Sequence, residues 1–418
     1  MKNTHPLLPE IRMSNYTYPL PQERIAKYPL AHRDDSKLLV CRGEGNGTES
    51  VLFDARFKDL PQWLPQDTML VFNNTKVVPA RMIFAKDSGA LIEVFCLEPY
   101  DPKEYVLSFA QYKTCAWYCV VGNAKRWKTG DISLLNPTND PEIARLGLKA
   151  TLILQEGDRF AVRFTWQSDI PFSAVLELCG TIPIPPYLKR QAEASDTERY
   201  QTVYAKYRGS VAAPTAGLHF TPQVLEALVR SGARIKELTL HVGAGTFKPV
   251  KSACINDHIM HSEPFSVTRD FLQDLMAHRG PLASVGTTSL RCLESLYYLG
   301  LHAAKGEEPS YVAQWEPYSL SQPELTYKES LQQLVDYLDR RGEDHLQAAT
   351  RILITPGYTF RAVDLLVTNF HQPNSTLLLL VAAFVGNDWK RIYDHALEGT
   401  YRFLSYGDSS LLFKNKSK

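Results

Sequence analysis

Three times in the C-terminal half of this chain an apolar run ends in a polar or glycine-rich loop, and the second and third of these loops pass into helix-like spacing. Residues 235–242 run into Gly243-Ala-Gly245-Thr246. Residues 282–285 lead into Gly286-Thr-Thr-Ser289, after which Leu290, Leu293 and Tyr297 share one helix face. Residues 363–368 pass through Asn369-Phe-His-Gln-Pro-Asn374 into a helix from Ser375. Thr221-Pro222 supplies a cap and first position for a further helix carrying Val224, Leu225, Leu228 and Val229, closed near Gly232. Alternation of strand and helix specifies an α/β body, and in open α/β sheets ligands bind outside the carboxyl ends of the strands. If the three strands are parallel neighbours, His241, Thr246, Thr287, Thr288, Asn369 and His371 converge on one cleft.

Two stretches look like additions to that body. From about residue 89 to 166 short alternating runs are separated by turns, with strands expected at 117–121, 132–135, 148–154 and 160–166. Gly130-Asp131 and Gly157-Asp158 mark the turns. This is the pattern of a small antiparallel barrel or sandwich, and it places an inserted β-barrel domain at 83–175 within an α/β main domain of residues 1–82 and 176–418. The second stretch, about 301–349, starts loop-like with Gly306, Pro309, Pro317 and Pro323. It then turns helical, with Leu331, Leu334, Val335 and Leu338 on one buried face.

At 418 residues the chain exceeds one small core. A formal net charge of +1 gives no whole-molecule attraction for nucleic acid, so any such surface is a local patch. Seven cysteines without framework spacing fit a reducing compartment. The N-terminal stretch lacks the apolar core of a signal peptide, and the longest apolar run, 377–385, is too short to span a bilayer. The expectation is a cytoplasmic protein with no membrane association, with a monomer favoured.

Residues 199–220, RYQTVYAKYRGSVAAPTAGLHF, crowd tyrosines and the cations Arg199, Lys206 and Arg208 ahead of small residues that end in Thr215, Gly217 and His219. The string reads either as a surface meeting a large anionic ligand or as a tyrosine-rich core segment. Lys189, Arg190 and Arg199 form a solvated face or, with Tyr187, Tyr200, Tyr204 and Tyr207, an RNA-stacking surface. Gly286-Thr-Thr-Ser289 is an anion-holding helix start or an N-cap. His258, His261 and Glu263 lack the spacing of a zinc site and suit polar contacts or catalysis. Cys115 and Cys119 have Gly122 where an iron–sulfur triad needs its third cysteine. No metal is expected.

Together these strings resemble one family, the S-adenosylmethionine:tRNA ribosyltransferase-isomerases of queuosine synthesis. The resemblance rests on Tyr18-Pro-Leu-Pro21, Arg33-Asp-Asp-Ser36, Phe72-Asn-Asn-Thr-Lys-Val-Val-Pro-Ala-Arg81 and Ile184-Pro-Pro-Tyr187. It continues through Arg199-Tyr-Gln-Thr-Val-Tyr-Ala205, Ala212-Ala-Pro-Thr-Ala-Gly-Leu-His-Phe220 and His241-Val-Gly-Ala-Gly-Thr-Phe247. The last blocks are His258-Ile-Met-His-Ser-Glu263, Val285-Gly-Thr-Thr-Ser-Leu-Arg291, Pro356-Gly-Tyr358, Thr368-Asn-Phe-His371 and Tyr401-Arg-Phe-Leu-Ser-Tyr-Gly-Asp408. Asn74 stands where the family usually has aspartate, Lys76 where it has arginine, and Asn374 where lysine is common. The 301–349 stretch lies outside the resemblance.

The resemblance implies an α/β domain with an inserted β-barrel. It also implies transfer and isomerisation of the ribosyl part of S-adenosylmethionine onto the aminomethyl group of preQ1 at the tRNA wobble position. The product is epoxyqueuosine-tRNA, with adenine and methionine released; S-adenosylmethionine is consumed as substrate and no bound cofactor is expected. A base near C5′ of the sulfonium ribose would form an ylide, and expulsion of adenine needs a proton. His219 is the first candidate for these transfers, with His241 and Glu263 as alternatives. Arg33 and Arg81 suit the methionine carboxylate or a tRNA phosphate, Arg199, Tyr200 and Gln201 the anticodon loop, and Thr287, Thr288 and Ser289 the same carboxylate. Thr215, Thr246, Arg291, Asn369 and His371 complete the substrate-binding candidates. Asp408 serves a ribose hydroxyl, the incoming amine or its own turn. The competing classes are an S-adenosylmethionine-dependent tRNA methyltransferase and a non-catalytic tRNA-binding protein.

Overall fold

The computed structural model describes residues 10–43, 50–136, 139–157, 159–243, 250, 252–319 and 325–415. Its first strands are β1 (Lys37–Arg42), β2 (Val51–Arg56), β3 (Met69–Asn73), β4 (Thr75–Val77), β5 (Arg81–Ala85) and β6 (Leu91–Asp101). Then come β7 (Thr114–Gly122), β8 (Asp131–Leu134), β9 (Lys149–Glu156), β10 (Arg159–Thr165), β11 (Tyr207–Ser210) and β12 (Arg234–Leu240). The last are β13 (Glu263–Thr268), β14 (Leu282–Val285), β15 (Tyr311–Val312), β16 (His345–Thr350), β17 (Leu365–Asn369) and β18 (Ser409–Phe413).

Ten of them make one mixed sheet in the order β15-β16-β13-β12-β3-β14-β17-β18-β1-β2. Its centre, β12-β3-β14-β17, is parallel throughout. Parallel strands are covered on both faces and so read as continuous apolar runs; every residue of β3, β14 and β17 is buried. The three strands read from the sequence therefore belong to one parallel block, and their carboxyl ends share one edge. Thr221 caps the helix Pro222–Arg230 through its side chain, and Ser375 does the same for Thr376–Val385. Among the described residues no helix is long and apolar enough to cross a membrane.

The insertion is a closed antiparallel barrel in the order β10-β7-β6-β5-β8-β9. Each strand sends alternate residues inward, so Phe84, Val94, Trp117, Ile132, Ala150 and Phe164 fill the core. The helix Phe172–Cys179 plugs the barrel, with Phe172 lying 5.3 Å from the Phe164 ring and 5.7 Å from Trp117. Cys96, Cys115 and Cys119 are part of this core, where burial pushes the thiols of Cys115 and Cys119 up. The fold is an α/β main domain carrying an inserted antiparallel β-barrel.

The 301–349 stretch is no appendage. Its strands β15 and β16 extend the main sheet beyond β13. Its helix Tyr327–Arg341 buries Leu331, Leu334, Val335 and Leu338 against the helix Thr287–Ala304. Gly300 makes that approach possible: a Cβ there would sit 2.3 Å from the Ser330 carbonyl oxygen. Thr287–Ala304 is consequently buried almost all round, with its interior polar side chains Arg291 and Glu294 held by partners inside the protein.

Candidate active site

The cleft at the carboxyl edge of the parallel block is lined by Thr215 and Ala216, Gly286 to Thr288, Thr368 to Gln372, Ser375, Leu404, Ser405, Tyr187 and Val242. Three loop ends build it. β14 turns into its helix at Gly286, whose φ of 89° favours glycine and whose N–H is held by the Val367 carbonyl of β17. The turn Thr215–His219 and the residues just before it lay Ala216 and Ala213 along the wall, and these small side chains leave the room. β17 delivers Asn369 and His371. Four of the six residues expected to converge, Thr287, Thr288, Asn369 and His371, line this cleft. Thr246 lies outside the described residues, and His241 faces elsewhere.

The three histidines are differently employed. His219 is buried, with both ring nitrogens engaged. Asn369 spends its amide N–H groups on the carbonyls of Leu404 (3.0 Å) and Ser405 (3.2 Å), so its Oδ1 accepts from His219 Nε2 (3.0 Å). The Ser36 hydroxyl then donates to Nδ1 (2.9 Å). This network assigns the Nε2–H tautomer. Burial lowers the His219 pKa to about 4, which keeps the ring neutral. His219 thus stands behind Asn369, outside the cleft lining. His241 stacks on Tyr105 of the barrel domain, rings 4.6 Å apart and 4° from parallel, and is pressed by Gly209. Burial lowers its pKa to about 4 as well. His371 lines the cleft itself. Its Nε2 meets Thr368 Oγ1 at 2.9 Å, its main-chain N–H donates to the Tyr393 hydroxyl at 3.0 Å, and burial brings its pKa to about 4.

These depressed values predict an acid-labile fold. On unfolding each histidine regains its ordinary affinity for a proton near pH 6.5, so between about 6.5 and 4 the unfolded chain binds more protons. Stability is full above pH 6.5 and falls as pH drops to about 4, by up to about 1.4 kcal/mol per pH unit for each of the buried His219 and His371. Urea midpoints measured from pH 7.5 to 4.5 check this, and a flat profile contradicts it.

Glu263 is committed elsewhere. Fully buried on β13, it pairs with the Arg291 guanidinium through Oε2 and meets His261 Nε2 at 3.1 Å through Oε1. Burial pushes its carboxyl up, but Arg291 and then His261 outweigh that and hold it below the usual range. Arg291 in turn donates from Nε to the Ile352 carbonyl (3.0 Å). Neither residue lines the cleft. Ser289 is buried in the helix behind Thr288.

The remaining candidates sit in structural networks. Arg33 donates to the carbonyls of Gln201 (2.5 Å) and Glu198 (3.0 Å), and Arg199 returns the favour to Ala31 (3.2 Å) and Leu30. Tyr200 is fully buried against Tyr406 and is not available for base stacking. Gln201 brackets Val77, accepting its N–H at 3.0 Å and donating to its carbonyl at 2.8 Å. Arg81 pairs with Glu93 at 3.3 Å at the root of the barrel. Asp408 accepts the main-chain N–H groups of Lys37 (3.0 Å) and Arg402 (2.7 Å), one on each carboxylate oxygen, as its turn reading expects. Asn74 donates to Glu237 (3.1 Å) and accepts from Thr239 (2.9 Å), where an aspartate would face the Glu237 carboxylate. Asn374 adopts φ 54°, a left-handed conformation that asparagine tolerates better than lysine. Lys76 is exposed. No group of three or more His, Cys, Asp or Glu side chains among the described residues is placed to hold a metal ion.

The family model described as queuosine biosynthesis protein matches residues 13–412. The chain belongs to that family. It is similar to the S-adenosylmethionine:tRNA ribosyltransferase-isomerase of Dichelobacter nodosus, with 37% identity over 406 residues, 96% of each chain. Its likeness to the Syntrophomonas wolfei protein of the same description is 39% over 410 residues, 96% of this chain and 97% of that one. A crystal structure of the S-adenosylmethionine tRNA ribosyltransferase of Thermotoga maritima matches over 95% of this chain and 99% of that one, at 26% identity and a TM-score of 0.45.

Within this family member, Ser405 and Gln372 line the cleft, Ser36 reaches it through His219, and Tyr105 packs on His241; the sequence reading gave none of the four a role. Ser36 closes the resembling block from Arg33, and that placement was its signal. Tyr105 carried none, because its contact with His241 is made across the domain junction.

Proposed function

We propose that this enzyme transfers and isomerises the ribosyl moiety of S-adenosylmethionine onto preQ1 at the wobble position of tRNA. The product is epoxyqueuosine-tRNA, and adenine and methionine leave. S-adenosylmethionine is substrate here, and no resident cofactor is invoked. The observation that carries the reading is the cleft: a neutral histidine, a helix start and a wall of small residues meet at one sheet edge, in a chain that matches its family from residue 13 to 412.

Each part has a use in that chemistry. The free N–H groups and hydroxyls at Thr287 and Thr288 begin an 18-residue helix and suit the methionine carboxylate. Val242, Phe370 and Leu377 offer apolar surface for the adenine or the deazaguanine. Neutral His371 accepts the acidic proton next to the sulfonium, and Asn369, fixed by His219, orients the sugar. Of the proton-transfer candidates, His219, His241 and Glu263 do not line the cleft, so that role passes to His371, which does.

Purified protein given S-adenosylmethionine and preQ1-bearing tRNA is expected to release adenine and methionine in equal amounts. Release of S-adenosylhomocysteine instead identifies a methyltransferase. Retention of both substrates unchanged identifies a binding protein.

A further inference from the structure

Behind the cleft, on the far side of the His219 ring, lies a second, smaller pocket lined by His219 itself with Arg33, Arg199, Arg402, Ser36 and Ser405, the last of which also lines the cleft. No carboxylate is among the described residues lining it. Arg402 is answered by Asp408, at 3.2 Å. Arg33 and Arg199 are answered by main-chain carbonyls alone among their hydrogen bonds, two for each guanidinium. Carbonyl oxygens orient a guanidinium without cancelling its charge, and a guanidinium has five N–H donors to place. Arg33 is partly withdrawn from water; burial first, and the neighbouring Arg199 second, make its charge harder to keep. On the outer side of the same two arginines, Asp34 and Glu198 border a wider depression. Asp34 there accepts the Thr221 hydroxyl at 3.1 Å.

We infer that this arginine pocket binds a phosphodiester of the RNA substrate, and that His219, bonded on its cleft side to Asn369, couples that anchor to the seating of the acceptor base. The inference rests on the RNA reading proposed above. A phosphodiester fits better than the methionine carboxylate because of where the pocket lies. The pocket is separated from the cleft by the His219–Asn369 pair, while S-adenosylmethionine has one carboxylate and the cleft has a helix start for it.

The test measures binding of an anticodon stem-loop RNA and of S-adenosylmethionine separately, for the wild type, Arg33→Gln, Arg199→Gln and Arg33→Lys, with thermal unfolding as a control of the fold. Loss of one phosphate contact is expected to weaken RNA binding and lower the slope of log affinity against log salt by about 1 in each glutamine variant. S-adenosylmethionine affinity stays within about twofold, since the helix start is untouched. Arg33→Lys restores the slope through its charge, which a purely loop-holding role would not do, because the carbonyl fork is lost in either variant. A glutamine variant with the wild-type slope overturns the inference. So does a fall in S-adenosylmethionine affinity with RNA binding intact, which assigns the pocket to the carboxylate. A wild-type protein that binds no RNA overturns the RNA reading itself, and this inference with it.

Discussion

Replacing His371 with glutamine lowers kcat by about 10²–10⁴-fold, the usual contribution of a positioned general base, and removes the acid limb of the pH profile. The reason is placement. Of His219, His241 and His371, only His371 lines the cleft, and burial keeps it neutral down to a pH of about 4. The partner experiment is His219→Gln. Glutamine keeps an N–H donor toward Asn369 Oδ1 and loses the acceptor for Ser36, so Asn369 shifts without a proton carrier being removed. A displacement of about 1 Å costs up to about 10²-fold, and the acid limb stays in place. Steady-state pH profiles of both variants decide between the roles. An acid limb lost in His219→Gln and retained in His371→Gln would reverse the assignment.

Glu263→Ala destabilises the fold by about 3–5 kcal/mol, the cost of leaving one partner of a buried ion pair uncompensated. Glu263 is 0% exposed and Arg291 3%, so water cannot take over the orphaned guanidinium. The double replacement Glu263→Leu with Arg291→Leu recovers much of that loss, because buried pairs are often exchangeable for apolar packing. The pair also contributes to acid sensitivity. Because Arg291 and His261 hold the folded carboxyl below its ordinary value, its stabilisation is complete above that ordinary value and disappears as pH falls through the folded one. Urea unfolding of the single and double variants at neutral pH provides the check; a single-variant loss below about 1 kcal/mol would mean that the pair is already relaxed by water.

Three strands of the parallel block, β12, β14 and β17, were readable because each ends in a polar or glycine-rich loop, a local signal; β3 runs on into β4 without one. The barrel was readable from strict alternation, as at Phe160, Val162 and Phe164, whose side chains point inward. What resisted reading was non-local. β15 is two residues long and gains its meaning from β16, about forty residues later, so proline-rich surroundings made the 301–349 stretch look like an addition. The role of His219 depends on Ser36 and Asn369, 183 and 150 residues away. Its small-residue neighbourhood gave no hint that Phe57 would cover it, 5.0 Å off. Tyr200 shows the same limit in reverse: cations beside it suggested a surface, yet Arg199 and Arg33 bind carbonyls and the ring lies in the core. Glu263 shared a polar block with two histidines, and only the fold reveals that Arg291 claims it.

The most direct test follows carbon. S-adenosylmethionine labelled with carbon-13 throughout its ribose is incubated with the protein and preQ1-bearing tRNA, and the digested nucleosides are weighed by mass spectrometry. The ribosyl carbons are expected in the modified wobble nucleoside, with unlabelled adenine and methionine in solution. A nucleoside heavier by a methyl group alone, with all of the labelled ribose left in S-adenosylhomocysteine, would contradict the account.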